Sequence, residues 1–194
     1  MNNNTLYLFV GKSASGKTSI ADLLGKRYGM KQVYSFTTRP PRYDGEIGHV
    51  FVTEEIFKHL GELAAYTFYQ GQHYGTTFQQ LDECSIYVID VPGVKSLLNK
   101  LNDKESKRPI RIIYFDTAVS TRIMRMVNRG ASDHEILSRL LIDDTTDDWY
   151  RNLNSVVWHY KNIEQKDIEL DKIDANRDIE NVLEQVLSCM NKKR

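Results

Sequence analysis

Unbroken apolar runs alternate along this chain with stretches in which apolar residues recur at helical spacing. Leu6-Tyr7-Leu8-Phe9-Val10 is continuous in apolar and aromatic side chains, as in a strand buried on both faces of a parallel sheet. Residues 19–28 then place Ile20, Leu23 and Leu24 on one helical face. Gln32-Val33-Tyr34-Ser35 reads as a short second strand and Val50-Phe51-Val52 as another, followed by a helix start capped by Thr53. Residues 65–69 and His73-Tyr74 flank Gln70-Gly71-Gln72 and predict a hairpin. Ile86-Tyr87-Val88-Ile89-Asp90 and residues 110–115 repeat the buried-strand pattern, with a helix over 93–101 between them. Helices are predicted over 121–129 and 133–148, joined at Gly130. Residues 156–158 and 168–170 are weaker strand candidates. An amphipathic helix over 174–190 buries Ile179, Val182, Leu183, Val186 and Leu187.

Strands alternating with helices predict an α/β fold, a central parallel sheet covered on both faces. Residues 35–80 break the alternation and read as a small α+β insertion. In such folds ligands sit beyond the carboxyl ends of the strands, where Gly11, Ser35 and Asp90 are expected.

The length of 194 residues suits one domain spanning 1–194. Lys plus Arg and Asp plus Glu number 26 each, so no global basic field is available for nucleic acid and any anion site must be local. Cys84 and Cys189 are too few for a disulfide framework or a zinc site. Met1-Asn2-Asn3-Asn4-Thr5 lacks the basic and apolar regions of a signal peptide, and no apolar run approaches the length of a membrane span. The expectation is a cytoplasmic enzyme, monomer or homodimer, acting on small molecules, with neither nucleic acid nor membrane as partner.

Gly11-Lys12-Ser13-Ala14-Ser15-Gly16-Lys17-Thr18 fits the phosphate-loop pattern G-x-x-x-x-G-K-[ST], and it lies between a strand and a helix as that motif requires. Glycines let consecutive N–H groups turn inward around an anion, and the following helix adds its positive end. Residues Gly11 to Ser19 are therefore expected to hold ATP, with Lys17 at the β- and γ-phosphates and the Thr18 hydroxyl on Mg²⁺. The plain alternative is a Gly/Ser turn that binds nothing.

Ser35-Phe36-Thr37-Thr38-Arg39-Pro40-Pro41-Arg42 resembles the stretch through which guanylate kinases hold a nucleotide monophosphate, and residues 48–57 resemble the next segment of that family. His73-Tyr74-Gly75-Thr76 is similar to the family's Tyr-Gly-Ser/Thr element, and residues 89–94 to its Asp-hydrophobe-Gln-Gly-hydrophobe element. Arg125, Arg129 and Arg139 resemble its lid arginines, and the motifs keep the family's order over residues 5–145. The resemblance implies a P-loop kinase fold of three α/β/α layers, with residues 35–80 binding the acceptor and residues 120–145 forming a helical lid. It implies transfer of the ATP γ-phosphoryl group to a nucleoside monophosphate, GMP or dGMP. Lys17, Arg39, Arg125, Arg129 and Arg139 would stabilise the transferring group, and Ser35, Arg39, Arg42, His49, Tyr74, Thr76 and Asp90 would hold the acceptor.

As bare residues these groups have simpler readings. Arg39 and Arg42 beside Pro40-Pro41 could be solvated turn charges, and Arg122, Arg125 and Arg129 one exposed basic helix face. Asp143, Asp144, Asp147 and Asp148 read as an acidic helix face that partly balances nearby arginines, and Asp90 as a cap for the next helix. The five histidines show no metal-ligand spacing, and Trp149, Tyr150, Trp158 and Tyr160 read as core.

The chain also departs from the family pattern. Lys12 and Ala14 replace a proline and a glycine in the loop, Ala65 occupies the place of the guanine-reading glutamate, His49 that of a phosphate-contacting tyrosine, and Val88 that of an acid. Three readings stay open: a guanylate kinase-like enzyme with weakened guanine recognition, a kinase of the same architecture for another phosphorylated small molecule, and an inactive nucleotide-binding or scaffold protein.

Overall fold

A computed structural model describes residues 4–41, 44–69, 71–145 and 148–192. In chain order the elements are β1 (Leu6–Val10), α1 (Lys17–Tyr28), β2 (Ser35–Thr37), β3 (His49–Phe51), α2 (Glu54–Lys58), β4 (Leu63–Tyr69), β5 (Gln72–Thr77), α3 (Phe78–Glu83), β6 (Ile86–Val88), α4 (Val91–Asp103), β7 (Ile110–Asp116), α5 (Val119–Asn128), α6 (Asp133–Thr145), α7 (Trp149–Asn162), β8 (Ile168–Asp174) and α8 (Ile179–Asn191).

The central sheet has the order β6-β1-β7-β8, all parallel. Its strands are near-continuous in apolar side chains because helices cover both faces. One core layer joins Leu6, Leu8, Ile112, Leu97 and Leu153 on one side of the sheet. The other joins Phe9, Ile113, Ile20, Leu24 and Val186. Alternate residues of β1 and β7 thus feed opposite layers, as the strand period of two requires. The fold is a three-layer α/β/α arrangement.

A second sheet, β3-β2-β5-β4, stands apart. Here β2 pairs in parallel with β3 and antiparallel with β5, and β4 and β5 form the hairpin. Its residues alternate between faces: Tyr66 and Phe68 are exposed while Ala65 is buried.

Three sequence-based expectations are corrected. The predicted strand over 32–35 contributes only an isolated bridge, Gln32 to Ile86, and Ser35 opens β2 of the second sheet rather than ending a central strand. Residues 156–158 are helical, inside α7, despite their β-branched valines. Leu153, Val157 and Tyr160 recur at helical spacing and are buried, and Asp148 caps the helix by accepting from the Tyr150 and Arg151 amides. Trp158 falls on the opposite side of α7 and is 62% exposed, so it is not core. The residues after β5, not assigned by pattern, form α3 through a reciprocal capping box between Thr77 and Gln80.

Candidate active site

The loop between β1 and α1 is closed by its own backbone, with the Ser15 amide donating to the Lys12 carbonyl at 3.2 Å. Gly16 caps α1 at φ 97°, a conformation that glycine adopts without a Cβ penalty, and no side chain caps this helix. The first amides of α1 are therefore left for a ligand, which suits an anion. Ala14 also has positive φ, 59°. An L-residue there carries strain, so Ala14→Gly is expected to stabilise the protein by about 0.5–1 kcal/mol, read as a higher urea midpoint at unchanged slope.

The Lys17 ammonium folds over the loop. It donates to the Gly11 carbonyl at 2.7 Å, the Lys12 carbonyl at 2.9 Å and Ser15 Oγ at 3.0 Å. Burial lowers its pKa to about 8; Asp143 opposes that shift, while Arg122 and Arg129 add to it. Thr18 is exposed on the first turn of α1. Among the described residues no three His, Cys, Asp or Glu side chains gather as metal ligands. The donor set nonetheless fits Mg²⁺, which keeps its waters and takes most of its oxygens from phosphates, needing only the Thr18 hydroxyl from the protein.

Arg122 and Arg125 of α5, its cap Arg129, and Arg139 of α6 occupy four different environments. Arg122 is fully buried, so the alternative of one exposed basic face for Arg122, Arg125 and Arg129 does not hold. Arg125 already reaches the donor loop: Nη1 donates to the Ser15 carbonyl at 3.2 Å and Nη2 to the Ala175 carbonyl at 2.8 Å. Arg129 is exposed and Arg139 half-buried. Asp143 is buried rather than part of an acidic surface, and it accepts from the Ser13 amide at 2.8 Å. Asp147 lies outside the described residues. A cleft of about 310 Å³ opens beside the loop between Gly16, Ser19, Arg125, Arg129, Arg177 and Asp178. Arg177 and Asp178, from the turn after β8, carry no motif that would have singled them out.

The second sheet gathers most of the other candidates. Ser35 Oγ and His49 Nδ1 share a hydrogen bond at 3.0 Å, because Ser35 and His49 are in register on β2 and β3. The His49 ring lies 5.7 Å from that of Tyr74 on β5. Arg39 extends over the Phe51 ring and donates to both carboxylate oxygens of Glu46, at 3.1 and 2.8 Å. Its side chain is 12% exposed, so it is not a solvated turn charge. Arg42 lies outside the described residues.

Asp90 caps α4 by accepting from the Gly93 amide at 2.7 Å, and it also accepts from the Thr67 hydroxyl at 3.2 Å. Burial raises its pKa, and those two donors, with Lys17, oppose the rise. Lys17 and Asp90 are thus near enough to influence each other's charge. Tyr69 is the last residue of β4 and half-buried. Burial pushes its phenol up to about 12, with Asp143, Tyr74 and Asp90 acting in the same direction and Arg139 against them. Alternation along β4 puts Thr67 and Tyr69 on the same face as Ala65, opposite the exposed Tyr66 and Phe68.

Known proteins resemble the chain in both sequence and fold. Guanylate kinases from Neisseria gonorrhoeae and Fusobacterium nucleatum are 28% and 27% identical to it over 149 and 154 residues. Those alignments cover 70% and 73% of this chain, and 70% and 80% of the relatives. The crystal structure of guanylate kinase from Anaplasma phagocytophilum matches with a TM-score of 0.52 at 16% identity, over 96% of this chain and 84% of that one. The chain is thus similar to guanylate kinases in sequence and shares the fold of one. No protein-family model matches it.

Two residues that the sequence comparison singled out, Ala65 and Thr76, face each other in the second sheet. Ala65 is 1% exposed and sits in the core cluster beside Ala64, opposite Thr76 on β5. Thr76 is fully buried and donates its hydroxyl to the Tyr87 phenol at 2.7 Å. Sequence reasoning placed Thr76 in the acceptor site; in this conformation its hydroxyl faces the sheet interior, because Tyr87 supplies an acceptor there. Tyr87, Thr67 and Glu46 were missed since each is an ordinary strand or loop residue until its partner is known.

Proposed function

We propose that the chain transfers the γ-phosphoryl group of ATP to the phosphate of a nucleoside monophosphate, with GMP or dGMP as the first acceptors to test. The observation that carries this reading is the loop itself: Gly16 caps α1 without a side chain, leaving the first amides of the helix for an anion, and the Lys17 ammonium lies over the same loop. A phosphate loop and a cationic, hydroxyl-rich cluster on one cleft are what a two-nucleotide transfer needs.

Phosphoryl transfer asks for alignment and neutralisation rather than a strong base. Lys17 would leave the loop carbonyls for the β- and γ-phosphates, while the amides of Gly16, Lys17 and Thr18 hold the donor in place. Mg²⁺, held by the Thr18 hydroxyl and the nucleotide, would supply charge neutralisation. Arg39, Arg42, His49 and Tyr74 would grip the acceptor phosphate; a guanidinium fork suits that contact better than an ammonium. Arg125, Arg129 and Arg139 would meet the transferring group, Arg125 from its present place on the loop and the other two by closing of residues 120–145. Nucleotides are expected to compact the protein modestly, because the base of α5 is already docked.

Base selectivity is the weaker part of the match. Ala65 offers no carboxylate, Thr76 is committed to Tyr87, and Thr67 occupies one oxygen of Asp90. This favours a second reading, in which the acceptor is another phosphorylated small molecule. Restoring the acid should not restore selectivity. Ala65→Glu would bury a carboxylate against the core and is expected to cost about 1–3 kcal/mol of stability. GMP-over-AMP preference in kcat/KM should stay within threefold of wild type. A gain in that preference at unchanged Tm would show that the pocket is open after all. ADP release measured with GMP, dGMP, AMP, CMP and UMP tests the proposal itself. No turnover with any of them would leave a nucleotide-binding protein without this activity.

A further inference from the structure

The donor loop is tied to the two helices that follow β7 by a buried charge pair. Arg122 on α5 is 0% exposed and Asp143 on α6 is 3% exposed. The Arg122 guanidinium donates through Nη2 to Asp143 Oδ2 and through Nε to the Ser13 carbonyl, the latter at 3.0 Å. Asp143 Oδ2 accepts in turn from the Ser13 amide at 2.8 Å. Both backbone groups of one loop residue are thereby held, the carbonyl by a cation and the amide by an anion. Ser13 is 109 residues from Arg122 and 130 from Asp143 in the chain, so this is a tertiary clamp and not a turn.

We infer that Arg122 and Asp143 are positioning residues that hold the phosphate loop in its binding shape and couple α5 and α6 to the donor site. Neither is needed to touch the nucleotide. A carboxylate beside a polyphosphate site would be repulsive if left bare; with Arg122 and the Ser13 amide on it, its charge is spent inside the protein. The turns of α5 and α6 that carry Arg122 and Asp143 then stay with the loop, and the segment between them, with Arg129 and Arg139, is left to close.

The inference rests on the reading of the loop as an ATP site, and the test keeps the two apart. A paired substitution, Arg122→Met with Asp143→Ala, removes both charges together, which proteins commonly tolerate with little loss of stability. The double variant is expected to keep its Tm within a few degrees while the Kd for ATP, by calorimetry, rises about tenfold or more and the KM for the best nucleoside monophosphate stays within twofold. Arg122→Lys keeps the charge pair but loses the fork that reaches the Ser13 carbonyl, and should weaken ATP binding by a smaller factor in a folded protein. It carries the test if the double variant does not fold. Unchanged ATP affinity in the folded variants would overturn the inference, as would equal losses for ATP and the acceptor. Wild-type protein that binds no ATP, or binds it equally well after Lys17→Ala, would overturn the loop reading and the inference with it.

Discussion

Lys17→Ala is expected to lower phosphoryl transfer by about 10²–10³-fold while the protein stays folded. The ammonium donates to the Gly11 and Lys12 carbonyls and to Ser15 Oγ, all within one loop that has its own backbone closure, so its removal does not open the core. Taking a partly desolvated cation out of the site should even relieve the cost of burying it. The loss therefore falls on the transition state, where negative charge is redistributed between the β- and γ-phosphates. Single-turnover kinetics with ATP and the best acceptor measure it; a rate within threefold of wild type would remove Lys17 from the mechanism. The same residue sets a pH signature. Its pKa of about 8 in the ligand-free site lies below that of an ordinary lysine, and a bound polyphosphate favours the charged form. ATP binding should thus take up a proton above pH 8, and affinity should fall as pH rises through that range. In Lys17→Ala this dependence should be absent.

Arg39→Ala is expected to lower kcat/KM for every monophosphate acceptor by roughly ten- to hundredfold, the worth of one or two charge-assisted hydrogen bonds. It should also destabilise the fold, because Glu46 has a side chain only 6% exposed and its carboxylate would lose the guanidinium that neutralises it. The two effects separate in the double variant Arg39→Ala with Glu46→Ala. Removing both charges should recover most of the Tm but none of the kcat/KM. If catalysis recovers along with stability, Arg39 serves the packing of the loop above Phe51 and not the acceptor.

Much of the central sheet was legible from local pattern. Leu6–Val10 is buried on both faces and apolar without interruption, and Ile110–Asp116 is apolar apart from Arg111 and its last residue, Asp116; strands of that kind announce themselves. The phosphate loop was equally plain, because its chemistry requires particular residues at fixed spacing beside a strand and a helix. The cap at Asp90 and the hairpin around Gly71 followed from the same local rules. Residues 156–158 misled because β-branched residues favour strands only weakly, and the burial of Leu153, Val157 and Tyr160 on one helical face outweighs that preference.

The sequence by itself determined the α/β class and the glycine-rich loop with Lys17 and Thr18 between β1 and α1, since each depends on neighbours within a few residues. Only the tertiary structure decided what each charge does. Arg122 and Asp143 looked like members of a basic and an acidic surface, yet each becomes tolerable in the interior through the other and through the Ser13 backbone. Thr76 looked like a base contact until Tyr87, eleven residues on, supplied its hydrogen-bond partner. Tyr69 had no motif at all, and burial pushes its phenol up to about 12. Burial of a polar group is stable only when a partner is present, and partners separated by tens of residues are brought together by the fold alone.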